Sequence, residues 1–272
     1  MIEIFQYDFM IYAIIGSVLS GFSCAILSNF IVLKKMEFIG NGAAHTAFGG
    51  IALAILLGLN INLFGILTAI IFAVSIYFMG EKQKIQENSA IGMLLSLSMA
   101  LGIIFLSLKK GYTPEITSYL FGDILMINKS DLNTLFVMLT IIILAVVLFN
   151  KELKFYTFNQ RMAKIYGVPV NIINFLFLII VSIVVVTSVK IVGIILITTL
   201  LITPGVMAKM WASTLNEMIV ISSIFGIVSS FLGIIFSYFF NIPSGPSIVV
   251  TMFGFFVLSY ILKLSINLLK KQ

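Results

Sequence analysis

Long apolar runs separated by short polar breaks dominate the chain. Nine can be marked: Phe9–Val32, Phe38–Leu59, Leu63–Met79, Ala90–Leu108, Leu132–Phe149, Val170–Ser188, Ile191–Ala208, Met218–Phe240 and Ile248–Leu264. Each approaches the roughly 20 apolar residues that a helix needs to cross about 30 Å of hydrocarbon. The short alternating segments of a membrane β-barrel are not seen. The pattern predicts an all-α, polytopic membrane protein of eight or nine transmembrane helices. The count is open at Val189–Lys190, where two runs meet with almost no loop and one of them is expected to be short, broken or re-entrant. No polar stretch is long enough for a soluble domain, and no internal repeat emerges, so residues 1–272 are expected to form a single transmembrane domain.

Composition supports lipid as part of the solvent. Hydrophobic residues make up 61% of the 272, charged residues 10%, and the mean hydropathy is +1.19. Soluble domains carry about 25% charged residues, and so few charges could not cover a water-facing surface. The net charge of +6 does not point to nucleic acid; the informative question is where the cations lie. With the N-terminus outside, twelve fall in inside segments: Lys34, Lys35, Lys82, Lys84, Lys151, Lys154, Arg161, Lys164, Lys209, Lys263, Lys270 and Lys271. Only Lys109, Lys110, Lys129 and Lys190 fall outside. That asymmetry predicts an external N-terminus and a cytoplasmic C-terminus. No Lys or Arg precedes the first run, so that run is expected to be retained rather than cleaved as a signal peptide. The lone Cys24 allows no internal disulfide and reads as a small buried hydrophobe.

Ionisable residues inside spans mark candidate chemistry, because burying them is costly. His45, the only histidine, lies in the second run. Asn41 and Glu37 precede it by four and eight residues, which on a continuous helix puts all three on one face. Glu37 would then sit roughly 12 Å nearer the helix start than His45. Imidazole suits zinc and similar ions, and amide or carboxylate oxygens suit manganese. Two readings remain open for His45: a transient ligand, better as a pair across a symmetric dimer, or a histidine bonded to a neighbouring helix carbonyl. Gly40, Gly42, Ala43, Ala44, Ala47, Gly49 and Gly50 would let another helix approach closely.

Enzyme chemistry finds no support. There is no phosphate-binding G-x-x-x-x-G-K-[ST] loop, no HExxH and no nucleophile–base couple. No acidic residue lies clearly at mid-span, as an ion-coupled carrier would require. The inside segment Asn150–Pro169 predicts a short helix at Phe158–Tyr166, stopped by Gly167 and Pro169; it reads equally as a partner-docking element or a surface helix. The outside segment Lys109–Asp131 reads as interfacial or re-entrant.

Five stretches carry a family resemblance: residues 32–47 (VLKKMEFIGNGAAHTA), 118–125 (SYLFGDIL), 158–170 (FNQRMAKIYGVPV), 192–204 (VGIILITTLLITP) and 242–248 (IPSGPSI). In this order and spacing the chain resembles the permease subunits of the zinc/manganese ABC importer family over essentially its full length. The resemblance implies a plasma (inner) membrane permease that works as a homodimer or a close pair. Its partners would be two cytoplasmic ATP-binding subunits and an extracytoplasmic metal-binding protein. No cofactor is implied in this chain; a divalent ion (zinc, manganese or iron) would be cargo. A secondary carrier or channel is the competing class, and a membrane assembly factor a more distant one.

Carried over by position, the ion path falls on His45. The family's Asp one turn earlier is Asn41 here, which keeps a coordinating oxygen and loses the charge. Glu37, where the family has Ser, would restore that charge, or would be an ordinary interfacial residue beside Lys34 and Lys35. ATPase coupling falls on Asn159, Arg161, Ala163, Lys164 and Gly167, with Asn159 and Arg161 where acidic residues are common. Docking of the binding protein falls on Tyr119, Phe121 and Asp123.

Overall fold

The computed structural model describes residues 7–109, 124, 127–158 and 160–269. Eleven α-helices and no strand occur among them: α1 Asp8–Lys34, α2 Ile39–Leu57, α3 Ile61–Gln83, α4 Glu87–Leu108, α5 Lys129–Leu148, α6 Asn150–Phe158, α7 Gln160–Ile165, α8 Val170–Val192, α9 Ile194–Trp211, α10 Leu215–Phe240 and α11 Ser244–Leu269. All but α6 and α7, nine in number among the described residues, are long and apolar enough to cross a membrane. Each corresponds to one of the nine apolar runs.

The doubtful crossing at Val189–Lys190 is resolved as a one-residue junction. Helix α8 continues to Val192, Gly193 adopts φ 83° and ψ 160°, and α9 starts at Ile194. Only glycine takes that conformation without a Cβ clash. Elsewhere, ordinary end signals delimit the helices. The Asn60 side chain accepts from the backbone N–H groups of Asn62 and Leu63 at the start of α3. Thr214 and Glu217 form a reciprocal capping box at the start of α10, which satisfies backbone donors that have no partner within the helix.

The helices group into two compact units, Met1–Val32 with Phe121–Leu139 and Ile191–Gln272, and Leu33–Leu120 with Thr140–Lys190. In the first, α1 and α10 pack antiparallel through small side chains. A Cβ on Gly226 would lie 2.6 Å from the Gly21 carbonyl oxygen, and one turn earlier on α10 Ser222 Oγ accepts from Asn29 Nδ2 at 2.7 Å. Gly205 of α9 lies as closely on the Ser28 backbone. Helices α10 and α11 are pinned by Ser247 Oγ donating to the Gly233 carbonyl, and α9 to α11 by Trp211 Nε1 donating to Ser259 Oγ. In the second unit α2 packs on α3 and α4.

Beside a core of large apolar side chains, small polar ones are buried and many large apolar ones face outward. Ser17, Ser20, Ser23, Ser28 and Asn29 are buried on α1. Val147, Leu148, Val250, Phe253 and Leu258 are exposed on α5 and α11. Lipid tails are as apolar as leucine, so large apolar groups gain little by turning inward. Small groups inside instead permit close backbone contact. The chain is a polytopic helical membrane protein.

Candidate functional site

The site is built around the start of α2. Helix α1 ends at Lys34, Lys35 adopts a left-handed conformation with φ 58°, and α2 begins four residues later at Ile39. The Ile39 N–H donates to the Met36 carbonyl and the Gly42 N–H to the Phe38 carbonyl, so helical bonding begins only at Phe38. Glu37 therefore lies in the turn before α2, not on its face. The one-face relation expected for Glu37, Asn41 and His45 holds for Asn41 and His45 alone. The physical reason is the left-handed Lys35, which spends the residues that a longer helix would have needed.

Helix α2 is held on several sides. A Cβ on Gly42 would meet Ile91 and Phe72, one on Gly49 the Ser98 carbonyl oxygen at 2.8 Å, and one on Gly50 the Thr68 side chain. Ala47 packs with Ala69 and Val186 of α8. Asn41 and His45, one turn apart, are each half-buried. His45 Nδ1 is buried and has no hydrogen-bond partner. Leaving a buried polar atom unpaired costs about 1–3 kcal/mol, a cost a merely structural histidine would normally remove by bonding to a neighbouring carbonyl. Nδ1 is enclosed by protein in this conformation, so a ligand would reach it only after a movement of its surroundings.

Three or more His, Cys, Asp or Glu residues do not come together anywhere among the described residues. His45 and Asn41 thus offer at most two ligands per chain, one imidazole nitrogen and one amide oxygen. That set suits passage of an ion better than its retention, since conduction requires sites weak enough to leave. The acidic residues of the described helices all lie toward helix ends: Asp8, Glu81, Glu87, Asp131, Glu152 and Glu217. None reaches the interior of a span.

Among the described residues the expected coupling region holds helices α6 and α7. Helix α6 begins directly after α5, ahead of the expected Phe158–Tyr166 segment, and α7 covers that segment's later part. At the end of α7 the Val168 N–H donates to the Ala163 carbonyl and the Gly167 N–H to the Lys164 carbonyl. With Gly167 at φ 73°, this is the left-handed helix stop that glycine favours. Ala163 is fully buried and seats the helix, whereas Lys164 and Gly167 are exposed. Phe158, Ile165 and Tyr166 turn outward, Ile165 being 76% exposed. Asn159, the Arg161 side chain, Tyr119, Phe121 and Asp123 lie outside the described residues.

One cluster escaped sequence reasoning. Tyr156 of α6 is fully buried, and its hydroxyl donates to Asn174 Oδ1 of α8 at 2.5 Å. Asn174 Nδ2 makes a long 3.5 Å contact to Glu87 Oε1 of α4. Lys34 Nζ sits 4.1 Å from the centre of the Tyr156 ring, a cation–π arrangement. Burial first, and the Glu87 carboxylate second, push the Tyr156 phenol well above its ordinary pKa, so it stays a neutral donor. The available signal was Asn174, which with Asn171 places two amides at the start of an otherwise mostly apolar run.

Comparison with known proteins agrees with this architecture. The chain is 35% identical over 255 residues to the "Probable metal transport system membrane protein" of Thermotoga maritima, covering 94% of this chain and 90% of that one. It is 34% identical over 256 residues to the manganese transport system membrane protein MntC of Listeria monocytogenes, covering 94% and 91%. The solved structure of PsaBC from Streptococcus pneumoniae in complex with Fab contains a chain that superposes with a TM-score of 0.81 at 33% identity, covering 94% of this chain and 92% of that chain. The model of the ABC 3 transport family matches residues 6–263. With nine candidate spans among the described residues and a family match over nearly its whole length, the chain belongs to the ABC 3 transport family.

Proposed function

We propose that this chain is the membrane-spanning permease subunit of an ATP-driven importer for divalent metal ions. Manganese or zinc is the favoured cargo, and iron belongs to the same class. The observation that carries the reading is His45 within α2: a half-buried imidazole whose buried Nδ1 has no partner, above an amide one turn away. The confinement of the acidic residues to helix ends supports an external energy source, because an ion-coupled carrier places carboxylates inside its spans. The manganese system named for the Listeria relative supports the choice of cargo.

In this reading the N-terminus is outside and the C-terminus cytoplasmic, by the lysine asymmetry, in the plasma (inner) membrane. An extracytoplasmic binding protein delivers the ion. The path runs past His45 and Asn41, with Glu37 in the turn at the cytoplasmic end. A second copy of the chain supplies a second imidazole–amide pair, which would raise the ligand number to four. ATP-binding subunits dock on α6–α7. The test is uptake of manganese and zinc into proteoliposomes holding this chain with its ATP-binding and metal-binding partners. Uptake is expected only with ATP inside the equivalent of the cytoplasm. Uptake by the chain alone, driven by an ion gradient, would instead assign it to the secondary carriers.

The docking surface makes its own prediction. Ile165 and Tyr166 are exposed on the last turn of α7 and the residue after it, 76% and 65% respectively, so a charge there removes little from the fold. Exposed changes of this kind usually alter stability by less than about 0.5 kcal/mol. Ile165→Asp is expected to leave yield and melting temperature unchanged and to strip the ATP-binding subunit during co-purification. Full retention of that subunit would remove α7 from the interface.

A further inference from the structure

The buried cluster at the foot of α6 links two places that the proposed function keeps apart. Helix α6 belongs to the segment read as the ATPase dock, and α2 carries the candidate ion site. Between them run four described contacts, all within one compact unit. The Tyr156 ring lies under Lys34, the last residue of α1. The Tyr156 hydroxyl holds Asn174, which reaches Glu87 in the first turn of α4. The next residue, Asn88, donates through Nδ2 to the Lys35 carbonyl at 2.9 Å. Lys35 is the left-handed residue whose conformation starts the turn into α2.

We propose that Tyr156 is a positioning residue that transmits movement of α6–α7 to the Lys35–Phe38 turn and so to His45. The proposal rests on the reading of α6–α7 as the ATPase dock. An apolar seat would hold α6 equally well and would tolerate rotation, since it has no directional bonds. The buried Tyr156–Asn174 bond, being directional, does not tolerate rotation. Tyr156 and Asn174 are both buried, so each must keep its partner or lose it to no solvent. Helix α6 therefore cannot turn without dragging Lys34 on one side and the α4 start on the other. Both flank the same four-residue turn. Beyond it α2 and α4 are locked by the Gly49–Ser98 approach and by Phe48 on Gly102, so the start of α4 and the site helix move as one piece.

The test measures metal uptake and ATP hydrolysis on the same proteoliposomes holding the full complex. Tyr156→Phe keeps the ring under Lys34 and removes only the hydroxyl; Asn88→Ala cuts the link to the turn at an exposed side chain. Both are expected to lower the ions transported per ATP about fivefold, the effect of losing one hydrogen bond from a coupling path, with hydrolysis retained. Lys34→Met is expected to do the same, and Lys34→Arg, which keeps the cation over the ring, to restore the ratio. An unchanged ratio in both Tyr156→Phe and Asn88→Ala overturns the proposal. So does a loss of assembled complex in Tyr156→Phe while Asn88→Ala couples normally, which would mark the cluster as a seat only. Absence of ATP-driven uptake by the unaltered complex overturns the importer function and this proposal with it. Retention of the ATP-binding subunit by Ile165→Asp would separately displace the dock.

Discussion

Replacing His45 by alanine is expected to abolish metal uptake by the assembled importer while leaving the permease folded. The two halves of this expectation rest on the same observation. His45 Nδ1 has no hydrogen-bond partner, so its removal breaks no protein bond at that atom. It also relieves a buried polar group that costs about 1–3 kcal/mol unpaired. Alanine is the strongest helix former and suits the small-residue surroundings of α2. A structural histidine would behave oppositely, with stability falling on truncation. For the ion, the loss is that of a direct ligand. Removing even an outer-shell partner of a metal ligand lowers affinity about 10–100-fold, and in the paired site the substitution removes both imidazoles at once. Uptake should therefore fall by at least about 100-fold at limiting metal. Wild-type uptake by a folded His45→Ala protein would remove His45 from the path.

The companion change sharpens the site. Asn41→Asp returns a negative charge one turn from His45, where a half-buried position keeps the carboxylate partly hydrated. Carboxylate oxygen binds hard divalent ions more strongly than amide oxygen. The apparent affinity is expected to rise and the maximal rate to fall, because tighter binding slows release. Uptake kinetics against free manganese would show this as a lower half-saturation with a lower plateau.

Gly49→Val is expected to be the most damaging single change in the second unit. A Cβ at Gly49 would lie 2.8 Å from the Ser98 carbonyl oxygen and 3.4 Å from its carbonyl carbon. These are backbone atoms of α4, which no rotamer change can move aside. Valine adds two further carbons, so α2 must separate from α4 along its length. Overpacking in a tight contact costs about 1–3 kcal/mol and occasionally more. The yield of monodisperse protein in detergent should fall steeply, with a lowered melting temperature. Gly92→Ala on the same α4 is the control. Nothing lies within 4 Å of its added carbon, and exchanging a mid-helix glycine for alanine gains about 0.5–1 kcal/mol. A Gly49→Val protein as stable as the Gly92→Ala protein would contradict the packing of α2 on α4.

Much of this was legible from residue order. All nine long helices coincide with apolar runs, because the requirement for about 20 apolar residues in a row is local and each run meets it unaided. Gly167 and the residues before it announced the end of α7 for the same reason: a left-handed glycine acts on the last turn alone. The resemblance read from five motifs led to the family that the full-length match establishes. Misreadings occurred where a decision needed distant partners. Helical spacing placed Glu37 beside Asn41, but the left-handed Lys35, whose carbonyl is held by Asn88 from α4, ends helical continuity before Glu37 can join it. Helix α6 was missed because its polar and apolar residues describe no lipid-spanning run. Its seat is the buried pair Leu153 and Tyr156.

The amino-acid sequence by itself determined that this is a many-helix membrane protein, where its spans lie, and that one imidazole stands within them. Those properties follow from solvation of each segment separately. Only the tertiary structure decided that His45 Nδ1 is left without a partner, that α2 is clamped by backbone-to-backbone contact at Gly49, and that Tyr156, Asn174 and Glu87 meet. These depend on atoms brought together from positions far apart in the chain. In a low-dielectric interior the value of a polar group is set by which partner reaches it, and that partner is chosen by packing.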